Sequence, residues 1–365
     1  MIGTHKFRRI LYLGLGLGLG LGLSLAAAGC SAPQAELPDA ATLPEPAANN
    51  AVAAYGGDIY SFAGLGAGKT WRDVHAKAYK CTLGTSRCEA LPPLPDGKGR
   101  LAATAQTVGD MIYIFGGYTV AEDHTEVSTP EVFAFDPKTQ SYSRRTDIPV
   151  PVDDSVSLVY EDRYIYLISG WHTDTNVADV QIYDTETDSW QRGTDWPGAP
   201  VFGHAGGIAG SVMVICDGVE IIPPKDKDSR RTFETLSACW RGDIEARDRR
   251  DINWSRLPQL PGNGLYRMAA IGVADKNLIL FAGGSDNAYN YNGIGYNKIP
   301  SGPSAHVWGF DTEKNDYVVF ADKPTATMDH RGLIDLGGGR FATLGGMGED
   351  QLVLGALDIW DLKAR

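Results

Sequence analysis

The chain has 365 residues, 43% of them hydrophobic and 10% aromatic, with 44 glycines, 20 prolines and a formal net charge of −12 at pH 7. So acidic a chain excludes nucleic acid and anionic lipid as partners, because both would repel it. The length is ample for a large core, and no long segment has helical periodicity, so an all-β fold is the expectation.

At the N-terminus, Lys6, Arg8 and Arg9 precede an apolar run from Ile10 to Cys30. Leu alternates with Gly over 13–23, and glycine disfavours helix, so residues 1–29 are expected to be a cleaved signal rather than a retained membrane span. The run ends in Ala27-Ala28-Gly29-Cys30, which resembles a bacterial lipobox. That resemblance implies acylation of Cys30 and cleavage before it; a plain secretory signal is the alternative. Ser31 follows the cysteine, which by analogy with lipoprotein sorting implies an outer-membrane protein of the cell envelope, facing the periplasm and touching the membrane only through its lipid. Cleavage removes three basic residues and no acid, leaving a charge of −15.

Residues 30–50, rich in Pro and Ala, read as a tether, and residues 51–365 as the folded domain. With Cys30 lipidated, Cys81, Cys88, Cys216 and Cys239 remain, an even set in an oxidising compartment. Of the three possible pairings, Cys81–Cys88, close enough to clip one hairpin, and Cys216–Cys239 are expected. Neither pair has zinc-knuckle spacing and the seven histidines are scattered, so no metal and no cofactor is expected.

The domain carries a repeat, in which an apolar strand closes on a pair of small residues, as in Met111-Ile112-Tyr113-Ile114-Phe115-Gly116-Gly117. The second residue of the pair falls at 64, 117, 170, 218, 284 and 346, a spacing near the ~50-residue period of one repeat family with longer loops inserted. A second mark is an Asp followed six residues later by an aromatic: Asp136/Tyr142, Asp184/Trp190, Asp248/Trp254 and Asp311/Tyr317. It reads as a tight turn and a returning strand, and each returning strand ends near Pro149, Pro197, Pro258 or Pro324, where an outermost strand tolerates a missing donor.

Together these marks resemble the kelch family from Val52 to Leu362, which implies an all-β, six-bladed kelch β-propeller. Blade one departs from the pattern with its Cys81/Cys88 hairpin. Blade six runs out of chain after strands near 332–335, 340–344 and 354–361, so the segment from Leu37 to Ala53 is expected to close the ring beside residues 357–360.

Innermost strands begin near Arg100, Asp153-Asp154, His204, Arg267 and His330-Arg331, at similar distances before the glycine marks. One ring of side chains at the channel mouth is expected, with Arg100, Asp154, Arg267 and Arg331 gripping a small anionic ligand; Arg–Asp pairing between blades is the alternative. The loop 286–297 is rich in Asn and Tyr, and Tyr291 and Asn292 would supply stacking and amide contacts to a sugar. The segment 63–70 looks like a phosphate-binding loop with its first Gly replaced by Ala, but no helix follows, and that reading is rejected.

Among kelch proteins, the chain looks most like the bacterial N-acetylneuraminate epimerases, in the Gly-rich segment 64–71 of blade one and the Tyr/Asn-rich loop of blade five. That resemblance implies anomer interconversion of an acidic sugar by a Glu just after the fourth blade's glycine and an Arg downstream. Glu220 takes the first position, and Arg230 or Arg231 lies further along than in the family. Glu220 as base with His204 or Arg231 as partner follows from it. The alternative is a non-catalytic propeller that binds a glycan or an envelope protein.

Overall fold

The computed structural model describes residues 41–365 except 228, 260 and 261. The expected signal segment, Cys30 and the first part of the tether lie outside the described residues.

Both sequence marks have a backbone cause. In all six units the small-residue pair takes left-handed φ at both positions: Ala63/Gly64, Gly116/Gly117, Ser169/Gly170, Asp217/Gly218, Gly283/Gly284 and Gly345/Gly346. Two such residues in succession throw the chain off the end of its strand towards one face, which a side chain at the second position would obstruct. A Cβ on Gly117 would lie 2.6 Å from the Leu101 carbonyl oxygen, and one on Gly170 2.7 Å from that of Asp153. The N–H of each second residue donates to a carbonyl of the next unit, at Arg100, Val152, Val201, Leu265, Thr327 and finally Ala47. The repeat therefore stitches each unit to its neighbour.

The Asp mark builds the outer turn, where Asp136, Asp184, Asp248 and Asp311 accept the N–H of the residue two further on. The aromatic mark reaches back to the preceding unit. Tyr142 donates to the Pro92 carbonyl at 2.9 Å, Trp190 to Thr146 at 3.1 Å, Trp254 to Thr194 at 3.3 Å and Tyr317 to Pro258 at 2.8 Å. Each ring is packed beneath that bond, as Tyr142 against Phe135 at 4.8 Å and Tyr183 against Trp190 at 5.0 Å. These rings are half-buried, so each contributes less than the roughly 1.5–3 kcal/mol of a fully buried aromatic.

The result is a β-propeller of six blades. Five are four-stranded antiparallel sheets in sequence order from the axis outward, with innermost strands Ala51–Tyr55, Thr104–Val108, Val156–Tyr160, Ala205–Ala209 and Ala269–Val273. The sixth has three strands, Ile334–Gly337, Arg340–Leu344 and Leu357–Asp361. Both expected disulfides are formed, Cys81–Cys88 in the outer hairpin of blade one and Cys216–Cys239 across paired strands of blade four.

The last blade meets the first through the segment before Ala51. Leu357 N–H donates to Ala41, Leu43 N–H to Gly355 and Ala47 N–H to Leu354. Thr42 bridges Ala356 on one side and Arg87 on the other, so this segment is a single rung between blades rather than a full outer strand. Ala41, Leu43 and Ala47 are buried with Cys81, Cys88 and Leu357.

A second ring of bonds circles the axis. Ala102 N–H donates to Asn49, Asp154 to Ala102, Gly203 to Asp154, Arg267 to Gly203, His330 to Arg267 and Asn49 to Asp329. Asn49, Ala102, Asp154, Gly203, Arg267 and Asp329 all have φ between 49° and 68°. These six are the equivalent axial positions. The preceding residues, Ala48, Leu101, Asp153, Phe202, Tyr266 and Met328, each pair with the residue after a glycine mark. Five of these six are apolar, and the sixth is Asp153.

A candidate sugar-binding cavity

Above the axial ring, every connection between the second and third strands rises on the same face. In blades two, three and four it forms two-stranded ribbons, Tyr118–Val120 with Glu126–Ser128, Trp171–His172 with Thr175–Asn176, and Val219–Ile222 with Thr232–Thr235. These ribbons and the blade-five loop enclose a cavity of about 210 Å³. Its walls are aromatic, including Tyr118, Trp171, Phe202, Phe233, Tyr291 and Tyr296, and its charged lining is Glu126, Asp153, Asp154, Arg231 and Arg267. The volume lies below the ~300–1,000 Å³ of drug-sized sites, which fits a ligand of one ring.

The floor is an ion-pair network. Arg267 donates to both oxygens of Asp154 at 3.0 and 2.6 Å and to Asp329 at 2.8 Å, and Arg331 pairs with Asp154 at 2.8 Å. Burial alone would raise the Asp154 carboxyl, but Arg267 and Arg331 hold it below its ordinary value. Arg331 lines the axial channel on the far side, with Gln106 and Ser157, so the network partitions the face cavity from the channel. Arg267 sits against the rings of Tyr266 and Tyr289 at 4.7 and 5.4 Å.

Arg231 is different. It is exposed at the rim, stacked over Trp171 at 5.1 Å and Phe233 at 5.6 Å, and its one recorded hydrogen bond goes to the Asp174 carbonyl. Among the described residues it has no carboxylate partner, so its charge is available to a ligand.

Two carboxyls in the cavity are displaced from ordinary behaviour. Loss of hydration drives Asp153 well above the usual carboxylate range, and Asp154 beside it adds to this, against a hydrogen bond from Ser128 at 2.6 Å. Desolvation also raises Glu126, while Arg267 pulls it down.

Of the residues expected from sequence, Asp154, Arg267, Arg231 and Tyr291 meet at this cavity. The others do not. Arg100 is wholly buried in blade two, paired with Asp96 and bonded to Thr129 and Gly116, because it precedes the axial position, Ala102, by two residues. His204 follows the axial Gly203 by one and turns into the blade, with Nε2 on the Ile168 carbonyl at 2.8 Å and burial lowering its pKa to about 4. Arg331 is two residues past the axial Asp329 and serves the floor from the channel side. Asn292 closes its own turn by accepting the Ile294 N–H.

Glu220 lies directly opposite Glu234 in its ribbon. Side chains alternate faces along a strand, and Phe233, adjacent to Glu234, lines the cavity, so Glu220 is on the ribbon's other face. The anticipated convergence of Glu220 with Arg231 is absent. Glu126 and the ring faces of Tyr118, Trp171, Phe202 and Phe233 were not foreseen as ligand contacts, whereas Asp153 stood in the expected ring beside Asp154.

Residues 99–147 match the kelch motif. The Kelch-like protein terF of Aspergillus terreus (strain NIH 2624 / FGSC A1156) is 31% identical over 134 residues, which are 35% of this chain and 29% of that relative. The chain thus spans under a third of that curated relative's length. The solved structure of YjhT is similar with a TM-score of 0.68 at 15% identity, over 87% of this chain and 95% of that one, a likeness of fold. With six marked repeats in one ring, the chain is an all-β, six-bladed β-propeller that carries a kelch motif.

Proposed function

We propose that the face cavity binds a small acidic sugar, and that the protein interconverts the sugar's anomers at the cell envelope. The observation that carries this reading is Arg231, a cation without a carboxylate partner among the described residues, fixed by two aromatic faces at the mouth of an aromatic cavity. A guanidinium presents parallel donors that match a carboxylate, and aromatic faces pack against the apolar side of a pyranose. The kelch resemblance to N-acetylneuraminate epimerases supports the choice of an acidic sugar. Export with Cys30 lipidated is proposed on the lipobox resemblance and agrees with two formed disulfides.

Calorimetric titration of the soluble domain with N-acetylneuraminate, glucuronate and glucose tests this. Binding of an acidic sugar, weakened about tenfold or more by Arg231→Ala with glucose inert, is expected. Equal affinity for glucose, or an unaltered titration in Arg231→Ala, would remove the acidic-sugar reading.

A further inference from the structure

Asp153 breaks a rule that the other five blades keep. The residue before each axial position faces the apolar cluster under the face ribbons, and is Ala48, Leu101, Phe202, Tyr266 or Met328 elsewhere. A carboxyl there is 2% exposed, and replacing an apolar group by an acid at such a site costs stability unless the acid is fully hydrogen-bonded or paired. Among the described residues, only one of its oxygens accepts a hydrogen bond. Thr173 N–H donates to Ser128 Oγ at 2.9 Å, and Ser128 in turn donates to Asp153 Oδ2 at 2.6 Å. Oδ1 accepts no hydrogen bond from a described residue, and Asp153 lines the cavity.

The ribbon that carries Ser128 also carries Glu126. Two residues apart on one strand, they share a face about 6–7 Å apart, and their cross-strand partners are Tyr118 and Val120. Tyr118 lines the cavity as Glu126 does. Ser128 thus positions Asp153, and the same strand sets a second carboxyl one step along, towards the rim.

We propose that Asp153 and Glu126 are the acid and base of the anomer exchange, with Ser128 positioning Asp153; this rests on the cavity binding the sugar. Glu126 takes the proton of the anomeric hydroxyl as Asp153 Oδ1 delivers one to the ring oxygen. The bond from the anomeric carbon to the ring oxygen breaks and its electron pair goes to that oxygen, giving the open-chain carbonyl form. The carbonyl turns about its bond to the chain. Reclosure on the other face, with Asp153 recovering its proton and Glu126 returning one, gives the other anomer. No oxidant and no net proton is consumed.

The environments divide the two roles. Asp153, desolvated and beside Asp154, is the carboxyl pushed further towards its protonated form, and the Ser128 hydrogen on Oδ2 leaves Oδ1 as the proton's place. Glu126 is exposed at the rim; loss of hydration raises its carboxyl and Arg267 opposes this, so it is the less displaced of the two and takes the base role. Two carboxyls set apart by their surroundings are a recurrent acid–base arrangement.

The test has a ligand-free arm and a kinetic arm. Infrared difference spectra of wild type minus Asp153→Asn at pH 7 are expected to contain a protonated carboxyl band; an ionised carboxylate there overturns the acid role. Anomer exchange of N-acetylneuraminate, followed by NMR with calorimetry beside it, is expected to fall about 10²–10⁴-fold in Asp153→Asn and in Glu126→Gln with affinity held within a few-fold. Wild type that binds the sugar without speeding exchange overturns the pair and leaves the binding reading standing. Loss of exchange in Glu220→Gln rather than in these two variants also overturns it. Wild type that neither binds nor exchanges removes the cavity reading and the pair together.

Discussion

Asp217 occupies the first position of blade four's small-residue pair, where blades two, five and six have glycine. It adopts φ 63°, which Asp tolerates better than most residues, and its carboxylate accepts the Leu265 N–H at 2.9 Å from the next blade. Burial is the larger influence and raises its pKa to about 7, against the two backbone donors that lower it. A carboxyl whose folded pKa lies above its unfolded value of ~3.9 makes the native state bind the extra proton between those values. Its contribution is therefore favourable at low pH, lost as pH rises from about 4 to 7, and absent above. Asp217→Asn keeps an acceptor for Leu265 and removes the charge. It should raise stability by roughly 2–3 kcal/mol more at pH 8 than at pH 5. Urea denaturation at both pH values checks this, and a variant less stable at pH 8 would contradict it.

The same scale explains what the sequence hid. Counting back from the glycine marks selects Arg100, His204 and Arg331, yet the residues that turn at the axis are Ala102, Gly203 and Asp329. Nothing in an alanine or an arginine announces left-handed φ, and the loop before the axial turn varies by one or two residues. That shift is enough to turn Arg100 and His204 into the blades. Once the register is known, Asp153 is legible as the acid among five apolar equivalents. Glu126 was not, because it sits on a ribbon whose length and pairing no repeat fixes.

At the scale of elements, the seam between blades six and one is the feature most open to attack. Residues 41–49 supply the only described backbone beyond the third strand of blade six at this end of the seam, through bonds to Leu354, Gly355 and Leu357. The Cys81–Cys88 hairpin grips them from the other side, with Thr42 N–H on the Ser86 carbonyl and Cys88 N–H on that of Thr42. Deleting this stretch also opens the axial ring at Asn49 and exposes the cluster around Leu43. A soluble domain starting at Asn50 should melt several degrees or more below one starting at Ser31. Equal melting temperatures would show that the seam is held without this segment. Proline placement made the outer ends of the blades readable beforehand, and the exhausted chain of blade six pointed to the N-terminus. The pairing is one rung rather than a strand because Pro44 and Pro46 cannot donate to a ladder.

At the scale of the whole molecule, six units were countable from sequence because each needs two left-handed residues in succession and four of them an Asp-led turn, features only a few residue types supply. The cavity was not countable in this way, since it is assembled from the irregular connections of blades two to five above a neutralised floor. Those connections put Arg231, the aromatic wall and the two carboxyls at one end of the axis, and the ion pairs of Asp154, Arg267, Arg331 and Asp329 shut that end from the channel. One ligand is therefore expected, on one face of the propeller. A crystal structure of the domain grown with N-acetylneuraminate tests this most directly. The sugar is expected among Trp171, Phe233 and Asp153, its carboxylate on Arg231 and its ring oxygen towards Asp153 Oδ1. A sugar bound instead in the axial channel beside Arg331, or against Glu220 on the outer face of its ribbon, would contradict it.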